Sequence, residues 1–124
     1  MFNCLVAKFA QEKIAPLVKK MEAEGKQDMA IIKGLFENGF MGIEIDEQYG
    51  GSGSNFMTSI LAVEEISKID CSVSILVDIH NTLVNALIKK LGTPEQKEKY
   101  LTKLATEWVS ESFLIKFKIF LRVF

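Results

Sequence analysis

The sequence predicts an all-α fold, an up-and-down helical domain of about five helices with a short strand-like C-terminal tail. Three observations predict it. Apolar residues recur three and four positions apart over five stretches between residues 5 and 104, the period of helices that bury one face. Capping signals stand where one stretch passes into the next. From residue 113 onward the period falls to two, the spacing of a strand. A chain of 124 residues has room for one domain, which we place at residues 1–107, with 108–124 as a divergent apolar and basic tail.

The first helix is expected over residues 5–24, with Val6, Phe9, Ala10, Ile14, Leu17, Val18 and Met21 on one stripe. Pro16 lies inside that stripe, lacks an N–H and should kink or divide the helix. Gly25 is the expected stop. Asp28 then caps a short second helix through Leu35 and Phe36, ended by Asn38-Gly39. Over residues 40–55 periodicity fails, and glycines at 42, 50, 51 and 53 predict a loop, with a brief extended stretch at residues 43–45.

Ser54 or Asn55 can cap the third helix, which should reach about Ile69 with Phe56, Ile60, Val63 and Ile66 facing inward. Asp70 or Ser72 opens the fourth, running to Leu91. It is apolar over most of its circumference, which places it at the domain's centre. Gly92 closes it. Thr93, Pro94 and Gln96 form a capping box with proline at the first helical position of the fifth helix. That helix carries Lys97, Lys99 and Lys103 outward and turns Tyr100, Leu101 and Leu104 inward. In the tail, Phe113, Ile115, Phe117, Ile119, Leu121 and Val123 alternate with a face bearing Lys116, Lys118 and Arg122.

Composition excludes more than it assigns. Lys and Arg total 15 against 16 Asp and Glu, so the basic footprint of a nucleic-acid binder is lacking. The apolar fraction is 48% and the mean hydropathy +0.18, which points to apolar surface meant for a partner or a further part of a protein. Cys4 and Cys71 are far apart and lack metal-ligand spacing, so they are expected as two reduced thiols, Cys71 contributing to the core. No metal site is expected. No secretory signal is visible, and no apolar run reaches the roughly 18 residues of a transmembrane helix.

Residues capable of chemistry are few. His80 is the only histidine and reads as a structural polar group, since Asp78 two positions away diverges from it on a helix. Glu64 and Glu65 are adjacent, about 100° apart, and form no carboxylate pair. One should be solvated and the other tied to a neighbouring helix. Gly50-Gly51-Ser52-Gly53 has neither GxxxxGK[ST] nor GxGxxG spacing and makes a poor phosphate loop.

Five segments, in order and in register, resemble one family. They are Phe9-Ala10-Gln11-Glu12-Lys13-Ile14-Ala15-Pro16, Gly39-Phe40-Met41-Gly42-Ile43-Glu44, Glu47-Gln48-Tyr49-Gly50-Gly51-Ser52-Gly53, Val63-Glu64-Glu65-Ile66 and Leu91-Gly92-Thr93-Pro94-Glu95-Gln96-Lys97-Glu98-Lys99-Tyr100-Leu101. Together they resemble the amino-terminal helical domain of the acyl-CoA dehydrogenases, most closely the short/branched-chain member, over about residues 6–107. The resemblance implies an FAD-dependent enzyme that removes two hydrogens from an acyl-CoA. It also implies electron delivery to an electron-transfer flavoprotein, a homo-oligomer and residence in the mitochondrial matrix. Aligned outward from Gly92, the positions lining the family's acyl pocket fall on Ile75, Ile79 and Leu83.

The match departs from the family after Glu107. The family continues into an F-C-L-S/T-E motif and an A-G-S-D segment, whereas here Trp108-Val109-Ser110-Glu111-Ser112 leads into the tail. No catalytic and no flavin-contacting residue can therefore be carried over. The resemblance implies a chain cut short at both ends, lacking a transit peptide (which leaves a cytoplasmic location open), binding no flavin and inactive alone. The alternative is a non-catalytic helical module that associates with full-length subunits.

Overall fold

A computed structural model of the chain describes residues 1–107, and the tail expected over 108–124 lies outside the described residues. Among the described residues every regular element is helical, as the sequence predicts. The α-helical segments are α1 (Phe2–Phe9), α2 (Val18–Glu24), α3 (Met29–Glu37), α4 (Phe56–Ser67), α5 (Cys71–Asp78), α6 (Ala86–Leu91) and α7 (Pro94–Thr106). They make five rods, because α1 runs into α2 and α5 runs into α6 without a break.

The first junction shows what Pro16 does. The chain widens to a π-helical turn at Ala10–Ile14, tightens to a 3-10 turn at Ala15–Leu17, then resumes α winding. The missing N–H and the ring's clash with the preceding turn are absorbed by changed winding, so the rod neither stops nor divides. Its inner stripe is as expected: Val6, Phe9, Ala10, Ile14 and Met21 are buried, with Leu17 and Val18 packed at the margin. Gly25 ends α2 at φ 65.

Asp28 caps α3 by accepting from the Ala30 N–H at 2.9 Å. Gly34 lies in the middle of α3, where glycine is unfavourable. Its reason is packing: a Cβ there would sit 2.7 Å from Phe9 Cε2, so the ring of α1 rests directly on the α3 backbone. Phe40 closes the same cluster, meeting Phe2 and Phe9 edge-on with centroids 5.8 and 5.5 Å away.

The segment between α3 and α4 is ordered core. Phe40, Met41, Ile43 and Ile45 are buried, and the expected extended stretch is absent, replaced by bends and a 3-10 turn at Glu47–Tyr49.

Several readings of the third and fourth rods need correcting. Asn55 caps α4 through the Thr58 N–H at 3.0 Å, but the inner face of α4 is Ser59, Ala62 and Ile66, with Val63 partly buried. Phe56 and Ile60 are 58% and 36% exposed. Small residues allow close helix approach, which outweighs the apolarity of the larger ones. Glu65 accepts from Lys68, the C-cap of its own helix, at 2.7 Å, with no link to a neighbouring helix among the described residues, while Glu64 is exposed as expected. Cys71 is exposed, as is Cys4, and contributes nothing to the core.

The rod Cys71–Leu91 has 21 residues and a mean hydropathy of 1.4 over its most apolar window, enough by length and composition to cross a membrane. No unbroken apolar run of that length occurs in it, since Asp78, His80, Asn81 and Asn85 interrupt the rod. Only a third of that window is buried, so the rod is one-sided and does not occupy the domain's centre. Val73, Ser74, Val77, His80, Asn81 and Asn85 face in, while Ile75 and Leu83 face out. The last rod, α7, starts with the expected capping box. Its Leu101, Leu104 and Ala105 enclose Ile45 in a second, smaller core.

Candidate functional site

The one-sided rod is the feature around which a site can be built. It begins at Asp70, whose carboxylate accepts from the Val73 N–H at 2.7 Å and from Ser72 Oγ at 2.6 Å. It winds as α-helix to Asp78, as π-helix over Ile79–Asn85, and as α-helix again to Leu91.

The inner side of its second half is polar. Asn81 Nδ2 donates to the Phe40 carbonyl at 2.8 Å and to the Val77 carbonyl at 3.0 Å, while its Oδ1 accepts from the Ile43 N–H at 3.1 Å. Asn85 Nδ2 donates to the Met41 carbonyl at 2.9 Å. One turn on, Lys89 Nζ donates to the Glu44 carbonyl and pairs with Asp46, both at 2.8 Å. Three side chains four residues apart thus hold the loop after α3, supplying partners its backbone would otherwise lack. The sequence reading singled out none of the three. Their spacing of four was the one available signal, and it is masked by Asp78, His80, Thr82 and Lys90 on the same rod.

His80 is buried, as its structural reading requires. Its Nε2 lies 2.8 Å from the Leu104 carbonyl, and its ring meets Phe36 edge-on, joining the rod to α7 and α3. Asp78 instead accepts from Thr82 Oγ1 at 3.1 Å.

The glycine-rich segment is equally structural. The N–H groups of Gly50, Gly51, Ser52, Gly53 and Ser54 all donate to loop carbonyls, those of Glu47, Asp46, Gly42, Ile45 and Ile43. A Cβ on Gly51 would collide with the Ile45 carbonyl. Because those donors are occupied, the loop offers an incoming phosphate no cradle.

Of the candidate pocket residues, Ile75 is 51% and Leu83 58% exposed, and Ile79 between them is half-buried. Their spacing of four lays them along one face of the rod, away from the asparagines. Elsewhere, a surface groove at the α2–α3 turn is bordered by Lys20, Gln27, Asp28, Ile32 and Leu76. Two of its charges are paired: Lys20 Nζ meets Asp28 at 2.8 Å. That bond, helped by the Ala30 N–H, holds the Asp28 carboxyl below its ordinary range and raises the Lys20 ammonium. No group of three or more metal-ligating side chains occurs among the described residues.

Residues 1–107 match the family described as acyl-CoA dehydrogenase, N-terminal domain. The chain belongs to the acyl-CoA dehydrogenase family. Within that family, the mitochondrial short/branched chain specific acyl-CoA dehydrogenase of Bos taurus is 53% identical over 110 residues, which are 89% of this chain and 26% of that protein. The structure of butyryl-CoA dehydrogenase from Megasphaera elsdenii superposes with a TM-score of 0.77 at 36% identity, over 84% of this chain and 28% of that one. A chain from work on the electron transferring flavoprotein of Acidaminococcus fermentans superposes at 0.80 with 38% identity, over 85% of this chain and 28% of that one. The chain thus spans about a quarter of the length of the acyl-CoA dehydrogenase it matches in Bos taurus.

Proposed function

We propose that this domain forms one wall of the acyl pocket in an acyl-CoA dehydrogenase that oxidises short or branched acyl chains, with Ile75, Ile79 and Leu83 as the wall. The observation that carries the reading is the bare apolar face of the rod Cys71–Leu91, where Ile75 and Leu83 stand more than half exposed. Aliphatic side chains in a row gain free energy when covered, by about 25 cal/mol for each Å² removed from water. A short branched hydrocarbon chain is a cover of matching chemistry.

In this reading acyl-CoA is the substrate, an electron-transfer flavoprotein the electron acceptor, a homo-oligomer the assembly and the mitochondrial matrix the compartment. FAD takes the β hydride in the family's reaction. The described residues do not fit its pyrophosphate, because the donors of the glycine-rich loop are already bonded to their own loop. Flavin and the base that removes the α proton therefore belong, in this proposal, to the remainder of a longer family enzyme, and the chain alone is inactive.

A chimera tests the pocket wall: residues 1–107 replace the matching segment of the Bos taurus enzyme. Ile79→Phe should then lower kcat/KM for a short branched acyl-CoA by about tenfold or more, the effect of a few misplaced methylenes. An unchanged acyl-chain preference in Ile79→Phe and Leu83→Ala would sink the reading. Inactivity has its own test, the visible spectrum of the chain after incubation with FAD and gel filtration. A stoichiometric flavin band that bleaches on adding acyl-CoA would overturn it.

The same bare face also favours a second reading, a non-catalytic module that binds full-length subunits. A native gel with the full-length relative decides it. A co-migrating species at micromolar concentration is the expected result, and its absence argues against the module.

A further inference from the structure

The two faces of the rod follow the same repeat. Val77, Asn81, Asn85 and Lys89 are spaced by four on the inner side, and Ile75, Ile79 and Leu83 are spaced by four on the outer side. An unbroken α-helix does not keep such a repeat in line. Each step of four drifts by about 40°, so Val77 and Lys89 would point about 120° apart. In that geometry Asn81 and Lys89 would point about 80° apart. The π stretch removes the drift. Bonding from residue i to i+5 turns each residue by roughly 82° where α winding turns it by about 100°. Seven residues of π winding, Ile79–Asn85, therefore take back on the order of 120°. The inner polar stripe stays on the loop, and the outer aliphatic stripe stays in one line.

Asn81 is the side chain placed to hold that winding. Besides its two bonds to the loop, it donates to the Val77 carbonyl at 3.0 Å, the acceptor that α winding would give to its own backbone N–H. It is fully buried. We infer that Asn81 is a positioning residue: by tying the start of the π stretch to Phe40 and Ile43, it sets the direction of Ile79 and Leu83. The inference rests on the pocket-wall reading for its functional meaning, since a wall that rotates changes the acyl chains it accepts.

The experiment uses the full chain with labelled Ile and Leu methyl groups, in two variants. Asn81→Leu keeps the branched skeleton, at somewhat larger volume, and loses all three bonds. Asn81→Asp keeps the acceptor for the Ile43 N–H and loses both donations. In both, the Ile79 and Leu83 methyl resonances should shift while those of the core residues Ile14 and Leu35 stay in place. Amide exchange at Ile43 should quicken at least tenfold in Asn81→Leu and by no more than a few-fold in Asn81→Asp. Unmoved Ile79 and Leu83 resonances in either folded variant overturn the inference. So does collapse of the Ile14 and Leu35 resonances in both variants, which makes Asn81 a residue of general stability. A chimera indifferent to Ile79 and Leu83 defeats the pocket wall and leaves the methyl result standing, so the two failures are distinguishable.

Discussion

Ser59 is fully buried on the inner face of α4, and its hydroxyl has no hydrogen-bond partner among the described residues. A buried hydroxyl that surrenders water without replacement costs stability. Ser59→Ala is therefore expected to raise the free energy of unfolding by about 0.5–1 kcal/mol, read as a higher urea midpoint at constant slope. Asp28 gives a pH signature. Its carboxyl is held below the ordinary range, first by the bond from Lys20 and then by the Ala30 N–H. The folded chain thus binds that proton less tightly than the unfolded chain. The contribution is present above the unfolded value, about pH 4, and is lost as the pH falls through the folded value. Asp28→Asn should flatten that acid limb in a stability-versus-pH series, and an unchanged limb would refute the assignment. At this scale the caps were largely legible beforehand: Asp28 and Thr93 were named outright and Asn55 and Asp70 as one of two candidates, because each stands at the start of an apolar period and acts through bonds two or three residues away. The roles of Asn81, Asn85 and Lys89 were not. Their partners lie 38 to 45 residues away, a distance no local pattern encodes.

Elements differ in the same way. The start of α7 depends on three residues within four positions, and its box forms as expected. Thr93→Ala should cost about 1 kcal/mol, measurable as a lower midpoint in chemical denaturation. The stripe of α4 was misjudged because size and apolarity favoured Phe56 and Ile60, whereas close approach selected Ser59 and Ala62. The loop before α4 was recognised as non-periodic, yet four of its apolar side chains are buried. A segment held by side chains from a distant helix needs no period of its own to enter a core. The rod Cys71–Leu91 was placed correctly in sequence and wrongly in depth. Its helical period was clear, but the side taken for core is divided between a polar grip on the loop and an exposed aliphatic row.

For the molecule as a whole, all-α class and family membership could be read from the sequence, since capping, periodicity and five motifs in register agree. The row Ile75, Ile79 and Leu83 could be named but not its exposure, because burial depends on which side the neighbouring rods occupy. The rod's inverted polarity has a consequence for how the protein tolerates change. In most helical domains a library of variants scored for abundance shows leucine and isoleucine as intolerant and asparagine as permissive. Along Cys71–Leu91 the ranking should reverse. Polar replacements at Ile75 and Leu83 should leave abundance near that of the parent, while nearly every replacement at Asn81 should deplete it. A scan in which Asn81 proves as permissive as Leu83 would contradict this profile. Under the proposed pocket wall, abundance and activity would select on opposite sides of a single helix, so changes at Ile75 and Leu83 would carry little penalty in folding.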